Sequence, residues 1–167
     1  SGKHETGGEY LWLVDPLDGT GNFFKGHPDF CVIISLLKNN KPVFGITYFP
    51  VSEELFIAEK GKGATKNGKS IKVSQECDVS KMYASTHMTS NLENRKKNLE
   101  LYGKILFEVR NVHVINSCVG RLLTDVAEGI SDFQFRIGFN YWDYAAGILL
   151  VEEAGGMVTD LNGKPVN

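Results

Sequence analysis

Asp15 and Asp18 stand three residues apart in the stretch LWLVDPLDGTGNFF, residues 11–24, and the chain reaches them out of four apolar residues. A buried strand that ends on two carboxylates calls for something positive between them. Pro16 has no N–H and breaks the strand ladder just after Asp15, and Gly19 permits a tight bend. Both carboxylates can then face one point, with the Leu17 carbonyl left free to join them. Three oxygens from four residues suit a hard cation such as Mg²⁺. Gly19, Thr20 and Gly21 follow with backbone N–H groups that could receive a phosphate if a helix starts there, and the Thr20 hydroxyl could hold a water on the cation. The same string also reads as an Asx-type turn with solvated acids. A third acid, Asp143, falls in the first turn of an apolar helix in YWDYAAG, residues 141–147. The helix dipole alone would favour it there, but Ala145, Ala146 and Gly147 behind it allow close packing.

The elements that must bring these acids together are legible from periodicity and turn residues. Residues 11–14 read as a fully buried strand, and residues 31–37, 43–49 and 54–58 continue a β pattern with Asn39-Asn40-Lys41-Pro42 and Pro50-Val51-Ser52 between them. Residues 64–73 read as a hairpin about Asn67-Gly68. Further on, residues 81–85 suggest a strand. Residues 91–107 suggest an amphipathic helix with Leu92, Leu99, Tyr102, Ile105 and Leu106 on its apolar face. Residues 109–115 alternate like a strand, and Asn116 or Ser117 offers a cap for a helix that stops at Gly129. A strand at 131–137, a helix at 141–154 ending on Gly155-Gly156, and a strand from 157 complete the pattern. The expected architecture is an α/β fold, an α+β sandwich: a sheet-rich part over 1–78 carrying DPLDGT, and an α/β part over 79–167 carrying WDYAAG, with a soft boundary near 75–80.

Net charge of −2 gives no electrostatic case for nucleic acid or an anionic membrane as partner. No apolar run approaches the length of a bilayer span, and no signal peptide is evident. Cys31, Cys77 and Cys118 are widely separated and form no C-x-x-C pair, so they read as thiols in a reducing, cytoplasmic setting.

Taken together, WLVDPLDGTGNF and WDYAAGILLVEEAGG resemble the signatures of the inositol monophosphatase family, the Mg²⁺-dependent, lithium-sensitive phosphatases related to fructose bisphosphatases and nucleotide bisphosphate phosphatases. The resemblance extends through PVFGITYFPVSEELFIAEKGKGATKNGKSIKVS and implies a layered sugar-phosphatase fold, here incomplete. It implies that Asp15 and Asp18 bind and bridge metals with the Leu17 carbonyl, that Asp143 binds a second metal, and that Thr20 orients the attacking water. Gly19 and Thr20 N–H groups would hold the phosphate of a small phosphorylated metabolite. It implies direct hydrolysis without a covalent phosphoenzyme, with inositol monophosphate as the first substrate. A nucleotide 3′-phosphate, fructose bisphosphate or histidinol phosphate are alternatives, and a non-catalytic binding protein on the same fold is the rival. Family members commonly form dimers.

Some positions depart from that pattern. The family's upstream G-E-E-S-G-like segment carries a metal-binding glutamate. Ser1-Gly2 looks like its tail, which leaves Glu5 and Glu9 as candidates by proximity. The N-terminal helices, the acid that pairs with the threonine and the C-terminal strand and helix have no counterpart, so the chain reads as a fragment trimmed at both ends whose own turnover is open. Inositol-specific members place an acid seven positions before the motif aspartate to accept sugar hydroxyls. Arg136 stands there and can only donate, which favours a second phosphate or a carboxylate, or a solvent-facing side chain. Gly21 replaces a common second threonine.

Two other motifs point elsewhere. GATKNGKS, residues 63–70, fits a phosphate-binding loop letter for letter, but IKVS follows it as a strand where that motif needs a helix. The acids of DPLDGT are three apart, whereas the covalent aspartate phosphatases use D-x-D. No histidine pair has ligand spacing; His113 reads as structural and Arg95-Lys96-Lys97 as a solvated helix face.

Overall fold

The structure, a computed structural model, describes residues 9–115, 118–138 and 140–166. Six antiparallel strands follow one another in chain order: β1 (Tyr10–Asp18), β2 (Cys31–Lys38), β3 (Lys41–Phe49), β4 (Glu54–Glu59), β5 (Gly63–Lys66) and β6 (Lys69–Ser70). A five-residue helix α1 (Thr20–Phe24) links β1 to β2. Strict alternation along β2 buries Cys31, Ile33, Ser35 and Leu37 and leaves the residues between them half-buried, as a strand covered on one face requires. The β5–β6 turn has Asn67 at φ 49° and Gly68 at φ 77°, both left-handed, the geometry of a two-residue hairpin. GATKNGKS is therefore a hairpin and cradles no phosphate.

The second half builds a parallel sheet in the order β8–β7–β9, from β7 (Tyr83–Thr86), β8 (Asn111–Val114) and β9 (Phe133–Gln134). Its helices are α2 (Leu92–Ile105), α3 (Val119–Ala127) and α4 (Tyr141–Glu153). The main core joins the halves: Cys31, Ile33, Phe49, Phe56 and Ala58 of the large sheet pack with Val119, Leu123 and Val126 of α3 and Ala146, Leu149 and Leu150 of α4. The small residues seen in the sequence make this contact. A Cβ on Gly45 of β3 would lie 2.9 Å from the Ala146 Cα, and one on Gly147 would lie 2.3 Å from Leu123 Cδ1. Charge reinforces it: Glu54 pairs with Lys66 and with Arg121 of α3, Lys66 also reaches Glu128, and the Arg121 guanidinium lies 3.7 Å over the Phe49 ring.

Several elements differ from the sequence expectation. β1 is not fully buried: Trp12 is 55% exposed and Tyr10 and Val14 are exposed with it. It pairs only with β2 and so is an edge strand among the described residues, with only its Leu11–Leu13 side packed, against Leu37 and Ala145. The strand also continues past Pro16 to Asp18. The apolar face expected of α2 is only partly used. Leu92 and Leu99 are exposed, while Asn98 is wholly buried. Asn98 Oδ1 accepts the Ile137 N–H at 2.8 Å and its Nδ2 donates to the Ile137 carbonyl at 3.0 Å, which satisfies a polar core position. Only two residues of the strand expected at 131–137 are in β9, and the one expected from 157 reduces to a single bridge, Thr159 with Pro165. His113 is exposed on β8 against the Tyr83 ring. Asn116 and Ser117 lie outside the described residues, and the N-cap position of α3 falls on Cys118.

Two outcomes follow for stability. Gly147→Ala gains up to about 1 kcal/mol of helix propensity, yet the clash with Leu123 outweighs it, and denaturant unfolding should record a net loss of about 1–2 kcal/mol. Burial by itself would raise the Glu54 carboxyl, but hydrogen bonds from Lys66, Ser52 and Arg121 outweigh it and hold the group down from 4.5 to about 2. A depressed carboxylate contributes stability above pH 4.5 and loses it as pH falls through about 2. Glu54→Gln should cost about 2 kcal/mol at neutral pH and flatten the acid limb of the Tm profile in that window.

Candidate functional site

The end of β1 is shaped by a bulge. The ladder pairs Asp15 with Ile33 and next pairs Asp18 with Cys31, so three steps along β1 answer two along β2. Pro16, with no N–H to offer, and Leu17 fall in that irregularity. Asp15 Oδ1 accepts the Leu17 N–H at 3.1 Å, an Asx-type contact. The Leu17 carbonyl is not left free as expected: the Thr20 hydroxyl donates to it at 3.0 Å, because the turn folds Thr20 back over the bulge. Gly19 makes that turn at φ 86°, where an added Cβ would lie 2.9 Å from Cys118 Cβ and 3.0 Å from the Asp29 carbonyl.

Asp18 turns inward and is 8% exposed. Its Oδ2 accepts the Gly120 N–H at 2.7 Å and the Cys31 thiol at 3.6 Å. The carboxylate thus caps α3 from a distant part of the chain, satisfying an N-terminal N–H that has no partner within the helix. Gly120 has no room for a Cβ, which would lie 2.5 Å from Cys31 Sγ and 3.0 Å from Thr47 Cγ2. Burial pushes the Asp18 carboxyl up from 3.8 to about 6; the Gly120 N–H pulls it back, and the charges of Asp15 and Asp143 push it further up.

Asp143 comes from the first turn of α4. Its Oδ2 accepts the Asn140 backbone N–H at 3.3 Å and the Asn140 amide at 3.2 Å, so it serves the helix end as the dipole argument anticipates. Burial raises its carboxyl, the Asn140 hydrogen bonds lower it, Asp15 raises it and Arg136 lowers it. The three acids therefore share one electrostatic neighbourhood. What brings them there is apolar: Leu13, two residues before Asp15, packs with Ala145, two residues after Asp143.

A cavity of about 410 Å³ opens at this point. Asp18, Gly19, Asp143 and Arg136 line it, with Cys118, Arg95 and the loop of residues 87–90. Asp15, Leu17 and Thr20 belong to the bulge and turn beside it. Arg136 is half-buried; burial disfavours its charge, while Asp18 and Asp143 favour it. His87 is pushed down to about 4, first by burial and then by Arg136, so it is neutral at pH 7. Arg95 is more than a solvated charge: its Nε donates to the Thr89 carbonyl at 2.9 Å and it helps wall the cavity. Glu9 does not join the acids. It pairs with Lys38 at 3.0 Å at the opposite end of β1, about 20 Å from Asp15 along an extended strand. Glu5 lies outside the described residues.

Sequence reasoning missed Gly120, Cys31, Cys118, Arg95 and the 87–90 loop. One signal was present: a glycine in the first turn of a predicted helix is a poor helix former that often marks close approach.

The profile of the inositol monophosphatase family matches residues 1–167. A tomato (Solanum lycopersicum) relative named inositol monophosphatase 2 is 42% identical over 167 residues, covering 98% of this chain and 63% of the relative. A Thermotoga maritima relative named fructose-1,6-bisphosphatase/inositol-1-monophosphatase is 36% identical over 160 residues, covering 96% of this chain and 60% of the relative. The solved inositol monophosphatase of Anabaena (Nostoc) sp. PCC 7120 superposes with a TM-score of 0.88 at 36% identity, covering 98% of this chain and 65% of that one. The chain thus spans less than two thirds of the length of these relatives. With the profile matched from end to end, and a bulged acidic strand end facing an acidic helix start, the chain belongs to the inositol monophosphatase family.

Proposed function

We propose that the protein hydrolyses a small phosphomonoester with Mg²⁺, by attack of water and without a covalent intermediate. The observation that carries this reading is the meeting of Asp15, Asp18 and Asp143, from a strand end and a helix start, beside one cavity that also holds Arg136. Their donor atoms are all carboxylate oxygens, and each charge raises the cost of the next, a set that fits a hard divalent cation. Mg²⁺ held by Asp15, Asp18 and Asp143 would supply Lewis acidity for the attacking water and the leaving alkoxide. The Leu17 carbonyl accepts one hydrogen bond from Thr20 and has a second lone pair for the cation.

The chain's own groups then divide the work. Gly120 fixes one oxygen of Asp18. Thr20 has committed its proton to Leu17, so its oxygen lone pairs are oriented to accept a hydrogen bond from water. Gly19 and Thr20 N–H groups serve the phosphate. Inositol monophosphate is the first substrate in this reading. Arg136 on the cavity wall favours a second one, with a further anionic group, such as a sugar bisphosphate or a nucleotide 3′-phosphate; histidinol phosphate remains an alternative without that feature. Lithium sensitivity, a homodimer and a cytoplasmic setting go with the same reading. Among the described residues no helix is long and apolar enough to cross a membrane.

Phosphate release by the whole protein, with and without Mg²⁺ and Li⁺, tests the proposal. Asp18→Asn should reduce Mg²⁺-dependent release by about 100-fold or more, and a variant that keeps its rate sinks the reading. Stability should move the other way. Since Asp18 titrates at about 6 in the fold against 3.8 in the open chain, its charge costs stability increasingly as pH rises between those values. In chelator, Asp18→Asn should be more stable above pH 6 by on the order of 2 kcal/mol, with no gain below pH 3.8. Arg136→Gln should lower kcat/KM for substrates with a second anionic group by about tenfold or more and leave a plain monophosphate little changed. A substrate panel reads that ratio directly.

A further inference from the structure

Behind Asp18 lies a second set of donors that the proposed phosphatase chemistry does not use. Cys31 Sγ stands 3.5 Å from Cys118 Sγ and 3.6 Å from Asp18 Oδ2, and ligand atoms of all three residues lie within 4.8 Å of one another. All three are buried. Tetrahedral coordination with zinc–sulfur bonds of about 2.3 Å and zinc–oxygen bonds of about 2.0–2.2 Å separates its ligand atoms by roughly 3.5–3.8 Å, which the two closest contacts already match.

From this juxtaposition we infer that Asp18, Cys31 and Cys118 form a site for a thiophilic divalent cation, Zn²⁺ or Cd²⁺, distinct from the hard-cation site but sharing Asp18 with it. The surroundings are built for it. Gly120 leaves space that any Cβ would take from Cys31, and its N–H holds the Asp18 oxygen as an outer partner of the ligand set. Asp18 and Cys118 both line the cavity wall, which gives the cation a route from solvent, with Cys31 behind them. Binding replaces the two thiol S–H bonds by two metal–sulfur bonds and releases two protons to solvent, with no change of oxidation state. Soft thiolates select Zn²⁺ or Cd²⁺ over Mg²⁺, so hard and soft cations compete only through the carboxylate they share. Where the proposed phosphatase reading holds, a bound soft cation withdraws Asp18 and inhibits in a way that a thiol chelator relieves readily and that Mg²⁺, competing for the carboxylate alone, relieves only at far higher concentration.

The test uses the Cys77→Ser protein, so that the exposed thiol adds no signal, freed of metal and titrated with Cd²⁺. The expected result is thiolate-to-cadmium charge-transfer absorption in the ultraviolet. It should saturate at one equivalent with release of two protons and persist in a large excess of Mg²⁺. Cys118→Ser and Cys31→Ser should each lose at least half of the band. Asp18→Asn keeps both thiols and guards against a thiol variant that fails to fold; it should keep the band and bind Cd²⁺ at least tenfold more weakly. No band, or a band unchanged in both cysteine variants, overturns the inference. The spectroscopic readout does not depend on turnover. A band in a protein that releases no phosphate would leave the site standing and remove the phosphatase reading, and phosphate release without a band would do the reverse.

Discussion

A single hydrogen bond, from the Gly120 N–H to Asp18 Oδ2, joins parts of the chain 102 residues apart and fixes the relation between the β1 bulge and the start of α3. It exists because three conditions coincide. The bulge turns Asp18 inward, α3 presents an N–H with no partner in its own helix, and residue 120 has no side chain to hold the two apart. Cys31, Thr47 and Cys118 fill the remaining space. If any of these conditions fails, the carboxylate either swings toward solvent or is buried without a donor, at a cost of several kcal/mol.

The arrangement sets stability against the proposed metal chemistry at the same residues. Asp15, Asp18 and Asp143 each raise the energy of another's charge, and burial adds to it. Helix ends, Asn140 and Arg136 offset part of this penalty but leave the Asp18 and Asp143 carboxyls above their ordinary range. A fold selected for stability alone would place asparagine at such positions. The half-buried network around Glu54 is built on the opposite principle: alternating signs, with the Phe49 ring beneath Arg121, hold α3 to the sheet.

Much of this was legible in the sequence because its cues are local. Asn67-Gly68 specified a hairpin, Gly129 and Gly155 ended helices, and the apolar run of residues 31–37 marked a strand, though it suggested burial on both faces where the structure fully buries one. DPLDGT and WDYAAG located the acids. What escaped depends on non-local partners. Nothing near residue 98 says that a buried asparagine will grip Ile137. The apolar run at 11–14 does not reveal that β1 has one neighbour among the described residues. Arg95 reads as one of three surface charges until the 87–90 loop is folded against it. The Leu17 carbonyl was expected to be open because sequence gives no sign that Thr20 bends back on it.

The Asn98 clamp reaches beyond packing. Its two hydrogen bonds hold the backbone one residue past Arg136, so the guanidinium on the cavity wall is aimed by a helix packed on the same parallel sheet. In the proposed reading, anion selectivity and the seating of α2 are thereby one mechanical unit. Changes on α2 away from the cavity would then retune which anions the proposed site accepts, while every group lining that cavity stays the same.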